Sequence, residues 1–311
     1  MKNSNALTQF LIPVDIKASN AEAVALMRCL ATTLDERIEK ITLLHVTGGR
    51  YLSEHMANID ARAARLITTE LFKKIRQDHI DKEIMPVLED VKKQLEQNQL
   101  TVPIDILIED GNPVDRIVEH ANTGGYSSLI IERQSRSHTQ GLGGVASGVL
   151  HRDVRATIYL TGIRPIECPP HCLLVALDGS KNSWMALERA GVLGAACGDS
   201  LEKIVLVSVI DVADYSMQLA EGKEEASMDY SMLEKGEEKL VAAGVDKERI
   251  VKRLCGGDPA DVLVREVKDH DAEVIFMGRR DRGKLQELFM GSVSTNLINH
   301  CPEQTLVMFA R

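Results

Sequence analysis

Residues Cys255–Val267 read CGGDPADVLVREV, and residues Glu109–Ala121 read EDGNPVDRIVEHA. In the later segment Asp258 precedes Pro259 and a run of apolar positions at helical spacing. That pattern predicts a helix start. The aspartate side chain caps the first free N–H groups, and proline at the first helical position gives up an N–H that has no partner there. The earlier segment repeats the pattern, with Pro113 opposite Pro259 and Asp115 opposite Asp261. Similarity of this kind at long separation marks an internal repeat.

The repeat extends in both directions. FLIPVDIKAS (Phe10–Ser19) matches LLVALDGSKNS (Leu173–Ser183), with Asp15 opposite Asp178. ITLLHVTG (Ile41–Gly48) matches IVLVSVID (Ile204–Asp211), with Val46 opposite Val209. SSLIIER (Ser127–Arg133) matches AEVIFMGR (Ala272–Arg279), GVASGVL (Gly144–Leu150) matches GSVSTNL (Gly291–Leu297), and ATIYL (Ala156–Leu160) matches QTLVMF (Gln304–Phe309). The separation is 163 residues at Val46 and 146 at Pro113, so the first copy holds 17 extra residues between those points. They fall in Tyr51–Gln99, a charged, periodic stretch. It reads as an amphipathic helix pair on the flank, with Leu66, Phe72, Ile75, Ile84, Val91 and Leu95 as core positions.

Each copy alternates short β-branched runs with helical patterns. In the second copy strands are expected at Leu173–Leu177, Ile204–Ile210, Ile250–Leu254, Val274–Met277 and Thr305–Phe309. Helices are expected near Ser183–Ala196, Glu224–Ala243, Pro259–His270 and Ser292–His300, the first capped by Asn182 or Ser183. Buried strands linked by crossover helices give a parallel sheet covered on both faces. The expected fold class is therefore α/β: two doubly wound, open parallel-sheet domains, residues 1–162 and 171–311, with a proline-stiffened linker through ECPPHC (Glu167–Cys172).

The 311 residues suffice for two such domains. A net charge of -9 argues against a general nucleic-acid binder and suits an anionic membrane surface poorly. No apolar run approaches the length of a membrane span. MKNSNALTQFLIPVD, at the start, reads as the entry to a first strand and not as a secretory signal. Six scattered cysteines, several in apolar contexts (Cys29, Cys197, Cys255), fit a reducing cytoplasm. Cys168, His171 and Cys172 lack the fourth ligand and the spacing of a metal site.

After the strand VIFMG the second copy continues GRRDRGKLQELFMGSVSTN (Gly278–Asn296). Glycines, basic side chains and hydroxyls together suit a phosphate. Gly278 lets the chain turn off the strand and lets a ligand approach the backbone. Gly291-Ser292-Val293 opens a helix whose free N–H groups and dipole favour an anion, and Ser292 and Ser294 add hydroxyls. Arg279, Arg280, Arg282 and Lys284 taken alone read as a solvated basic loop. Ligands of doubly wound sheets sit beyond the carboxyl ends of the strands, at the switch point. Asp178, Val209 and Gly278 lie at or near such ends.

Over nearly the whole chain these residues resemble the universal stress protein family, in tandem. Nucleotide-binding members of that family carry G-x2-G-x9-G-[ST] between the fourth strand and the fourth helix. Gly278 and Gly291-Ser292 match it, and Asp281 stands where the second glycine belongs. The resemblance implies a fold of the adenine nucleotide α-hydrolase type. It places Asp178 and the backbone near Val209 at the base and ribose, and Met277 and Gly278 at the ribose and α-phosphate. Arg280, Gly291, Ser292, Val293 and Ser294 fall beside the phosphates. The implied ligand is ATP or AMP, with Mg²⁺ accompanying ATP. It also implies that Ala156–Leu160 pairs with Leu306–Phe309 inside one chain, a pseudo-dimer that covers two sheet edges. A further homodimer through the expanded helical region is left open.

The first copy departs from the motif, reading ERQSRSHTQGLGGVAS (Glu132–Ser147). Glu132 replaces the first glycine and puts a carboxylate where phosphates would pack, so this half is not expected to bind nucleotide in the family's manner. The leading expectation is a cytoplasmic stress-response protein whose second half binds an adenine nucleotide and signals through its shape or its protein partners. Efficient hydrolysis needs a positioned base or water-holding group and a clamped Mg²⁺. With no Walker A sequence and no kinase loop, slow ATP hydrolysis is the most these residues offer. The alternative is a nucleotide-free module acting through protein partners or an apolar small-molecule cavity, favoured by Asp281, Glu132 and the 17-residue expansion. A third reading is an enzyme acting on a small phosphorylated or adenylylated substrate at the same cleft.

Overall fold

The computed structural model describes residues 8–48, 69–97, 102–133, 142–210, 230–279 and 291–309. In the first half, strands β1 (Gln9–Pro13), β2 (Lys40–Thr47), β3 (Ile104–Asp110), β4 (Ser128–Ile131) and β5 (Thr157–Leu160) alternate with helices. These are α1 (Ala21–Leu34), α2 (Thr69–His79), α3 (Met85–Glu96), α4 (Pro113–Thr123) and α5 (Gly144–Leu150). The second half has strands β6 (Cys172–Leu177), β7 (Lys203–Ile210), β8 (Ile250–Gly256), β9 (Val274–Gly278) and β10 (Thr305–Phe309). Its helices are α6 (Lys181–Cys197), α7 (Ser231–Ala242), α8 (Pro259–His270) and α9 (Ser292–His300).

All these strands join in one sheet, in the order β3-β2-β1-β4-β5-β10-β9-β6-β7-β8. Within each half every pairing is parallel, and the first strand lies beside the fourth. The two expected sheets meet where the resemblance implied, Ala156–Leu160 against Leu306–Phe309, and form one continuous sheet. The join is the antiparallel pairing of β5 with β10, Leu160 opposite Leu306 and Ile158 opposite Met308. Every residue of both strands is buried, so each edge covers the other's unpaired backbone groups.

Strand side chains alternate between two apolar layers. Phe10, Ile12, Phe276 and Phe309 pack under α1, α3, α6 and α7, whereas Leu11, Leu129, Ile275 and Met308 pack under α4, α5, α8 and α9. Helix starts follow the sequence signals closely. Asp258 Oδ1 accepts from the N–H groups of Ala260 and Asp261 at 2.9 and 3.1 Å, and Asn112 Oδ1 does the same for Val114 and Asp115. One cap differs from expectation. Helix α6 begins at Lys181 and is capped by Ser180, whose hydroxyl accepts from the Ser183 N–H. Asp178 Oδ1 takes the N–H of Ser180 at 2.9 Å, which turns the chain into the helix earlier than Asn182.

The described part of the expansion is α2, a π-helical turn at Ile80–Ile84, and α3, without a break. Ile84, Val91 and Leu95 are buried as expected, together with Leu88, and α3 packs on α1 and β2. Ile75 is half-buried, and Leu66 and the Phe72 side chain lie outside the described residues. Among the described residues no helix is long and apolar enough to cross a membrane.

Candidate functional site

The topology of the second half fixes where a crevice opens. Chain crossovers run to opposite sides of β6 and β9, which makes the gap between their carboxyl ends the switch point. The strands are paired up to Val175 opposite Phe276. Beyond that pair β6 continues to Leu177 and β9 to Gly278. The start of α6 fills the base of the gap. Ser183 Oγ accepts from the Asp178 N–H at 3.4 Å and donates to the Ser180 carbonyl at 2.9 Å, and Asn182 Nδ2 donates to the Arg279 carbonyl at 2.6 Å.

Gly278 is required here by packing. A Cβ on it would lie 2.6 Å from the Ser183 nitrogen and 2.9 Å from the Asn182 carbonyl carbon. Asp178 is exposed at the rim. Partial desolvation raises its carboxyl, but the hydrogen bonds from Ser180 and Ser183 outweigh this and hold it below the usual aspartate range, so it is an anion at neutral pH. Val209 is half-buried near the end of β7, paired with Cys255 of β8, and Met277 is buried. Arg280 and Asp281 lie outside the described residues.

Gly291 is different in kind from Gly278. It caps α9 with φ -60° and ψ 150°, a conformation open to any residue, and a Cβ there would meet nothing within 4 Å among the described residues. Neither strain nor packing among the described residues demands glycine. Having no side chain, Gly291 offers no cap to the N–H groups of the first turn, which have no partner within the helix. Because β9 and β10 are parallel, the helix between them starts at the carboxyl end of β9, the same end of the sheet as Asp178 and Gly278. Ser292 is exposed, Val293 is half-buried, and Ser294 is buried at 7% exposure.

In the first half the residue at the equivalent strand end bonds inward. Glu132 follows β4, in the place of Gly278, and its Oε1 accepts from the Ala23 N–H at 3.0 Å, in the first turn of α1. Helix α1 has no side-chain cap from Asn20, which sits in the left-handed region at φ 54° and ties back to Asp15. The Glu132 carboxylate therefore serves the free helix end that an external anion would otherwise meet.

Arg279 corrects the reading of a solvated basic loop, because it is 8% exposed and its Nη2 donates to the carbonyls of Leu150 and Arg152 at 2.9 and 3.3 Å. These lie at the end of α5, in the other half. Arg133 mirrors it. At 3% exposure, its Nη1 and Nη2 donate to the carbonyls of Ile298 and Cys301 at the end of α9, at 2.5 and 3.4 Å. The signal was present in the sequence: both copies keep an arginine just after the fourth strand, Arg133 opposite Arg279, while the residues around it diverge. The linker cysteines take no part in the crevice. Cys168 is exposed, with its sulfur 4.0 Å from the Thr33 hydroxyl, Cys172 is buried at the start of β6, and His171 pairs with Glu167 at 3.6 Å. Among the described residues no cluster of three metal-ligating side chains is present.

Comparison with known proteins agrees with this architecture. The model of the Universal stress protein family matches residues 7–152 and 171–308. A Staphylococcus saprophyticus protein carrying that family's name is 31% identical over 143 residues, which span 44% of this chain and 81% of that protein. Among solved structures, a universal stress protein from Archaeoglobus fulgidus superposes with a TM-score of 0.65 at 20% identity, covering 99% of each chain. A functionally unknown protein from Pseudomonas aeruginosa superposes with a TM-score of 0.60 at 14% identity, covering 98% of this chain and 93% of the other. At such identities the structural likeness shows the fold.

Proposed function

The chain belongs to the universal stress protein family, and from that premise we propose that its second half binds an adenine nucleotide at the crevice between β6 and β9. The observation that carries this reading is Gly291, a helix-capping glycine that neither its conformation nor packing among the described residues explains, at the sheet end where Asp178 and Gly278 also lie. An N-terminal helix end with free N–H groups suits a phosphate. In this reading Asp178 and the backbone near Val209 hold the base and ribose, and Met277 and Gly278 flank the ribose. The N–H groups of Ser292, Val293 and Ser294, the Ser292 hydroxyl and the Arg280 side chain receive the phosphates. Ser294, being buried, contributes its backbone more than its hydroxyl.

ATP and AMP both fit this assignment, with Mg²⁺ entering on the phosphates of ATP. The bound state would then be read by protein partners, making the chain a signalling module of the stress response. Six free thiols suit a cytoplasmic setting. Glu132, already seated on the end of α1, limits the assignment to one nucleotide per chain.

Isothermal titration of the full chain with ATP and AMP tests the reading. Binding is expected at one site. Gly291→Val, which meets none of the described residues and adds no strain, should weaken ATP about tenfold or more, the loss of roughly one charge-assisted hydrogen bond, with an unchanged melting temperature. Gly144→Val, equally unhindered in the first half, should leave affinity as it was. No binding at millimolar nucleotide, or a loss confined to Gly144→Val, would refute the assignment.

A further inference from the structure

The two buried arginines cross between the halves, and each holds the far end of the other half's last helix. Arg133 donates to the carbonyls of Ile298 and Cys301, and Arg279 donates to those of Leu150 and Arg152. The last carbonyls of a helix have no partners within it, and a cation there complements the helix dipole. Neither contact is a surface pairing, since both guanidinium groups are almost fully buried. Arg133 is fixed further by its backbone N–H, which donates to Thr161 Oγ1 at 3.3 Å.

The contacts bracket the segment of interest. Arg279 is the first residue after β9, so its side chain ties the end of that strand to the first half. Its N–H also donates to the Phe309 carbonyl, and its own carbonyl accepts from Asn182. The next described element is α9, with Gly291 at one end and the carbonyls held by Arg133 at the other. A helix of 9 residues is about 14 Å long and moves as a rigid rod. Displacing its carboxyl end therefore displaces the N–H groups at its start.

We propose that Arg133, contributed by the half in which Glu132 bonds to the start of α1, is a positioning residue for the phosphate end of the crevice in the other half. It touches no ligand. It sets where the free N–H groups of α9 stand, and through it the first half governs the second half's affinity for phosphate. The ligand named here rests on the nucleotide reading above; the placement of α9 does not.

The test uses the full chain and two variants, Arg133→Met and Arg133→Lys. Loss of a buried charge-assisted contact predicts about tenfold faster hydrogen exchange at the amides of 296–300 in Arg133→Met without any ligand. The amides of 147–150 in α5, held by Arg279, should not change. Arg133→Lys, which keeps the charge but on one nitrogen in place of the two that reach Ile298 and Cys301, should fall between. In titrations below the melting temperature, Arg133→Met should weaken ATP about tenfold and leave adenosine unchanged, because only the phosphate end shifts. Unchanged exchange in α9, or equal losses for ATP and adenosine, would overturn the proposal. If the wild-type chain binds no nucleotide, the reading of the site falls by itself, and the exchange measurement still decides whether Arg133 places α9.

Discussion

Glu132 should make the protein less stable as pH rises from acid to neutral, and Glu132→Gln should remove that dependence. The carboxylate is half-buried against the first turn of α1, accepting from Ala23, with Glu22 close by. Burial pushes its pKa from 4.5 to about 7, and the Glu22 charge adds to the shift. Between those two values the unfolded chain is ionised at this residue and the folded chain is still protonated. The folded state then binds more protons, so stability falls across that window and levels off above about 7. At about 1.4 kcal/mol per tenfold change in proton affinity, the ceiling is about 3 kcal/mol. Residual solvent access brings the expected effect to about 1–2 kcal/mol. Glutamine keeps the shape and the acceptor for Ala23 but cannot ionise. The variant should match the wild type near pH 5 and exceed it by about 1–2 kcal/mol near pH 8. Urea unfolding midpoints of both proteins across that range provide the measurement, and their difference isolates Glu132 together with its interaction with Glu22. Two curves that run parallel would refute the reasoning.

Two further outcomes follow from buried and exposed groups elsewhere. Glu266 is fully buried and held by Arg253 in a bidentate pair at 2.9 and 3.3 Å, which keeps its carboxyl below the usual range. Its contribution is present above the ordinary glutamate value and lost as pH falls, so Arg253→Met should destabilise the chain at pH 7 by about 2–3 kcal/mol and raise the midpoint of acid unfolding; an unchanged acid midpoint by circular dichroism would sink the assignment. Cys168 is the exposed cysteine, while burial pushes Cys172 to about 11 and Cys197 to about 12 and raises Cys29 further. A chromogenic disulfide reagent on the native chain should therefore react fast with one thiol, Cys168 by mass spectrometry, and rapid reaction at Cys29 or Cys197 would contradict the burial.

Much of the fold could be read from local patterns. The limits expected for β10, α8 and α9 are those observed, because β-branched runs, an Asp-Pro start and a glycine cap are each written within a few neighbouring residues. The α6 cap was displaced to Ser180 because an Asx turn at Asp178 competes for the same stretch, and only geometry decides between them. In the candidate site, the positions of Asp178 and Gly278 followed from strand ends. What separates Gly278 from Gly291 did not follow, since it depends on how closely α6 approaches one while no described residue approaches the other. The arginines were hardest to read. Their partners are carbonyls of Leu150 and Ile298, 129 and 165 residues away, and a backbone acceptor leaves no mark on composition.

The seam between β5 and β10 has a consequence for how the protein can vary. In a pair of identical chains joined at such a seam, every substitution appears twice, once on each side of the axis. Here the two sides are different stretches of one polypeptide, so a glutamate can occupy one crevice while the corresponding glycine persists in the other. The tether also keeps the two sides at high effective concentration, so dilution does not part them. One gene product thus carries both versions of this strand end, glutamate in one half and glycine in the other, in fixed one-to-one proportion, each free to drift without dragging the other along.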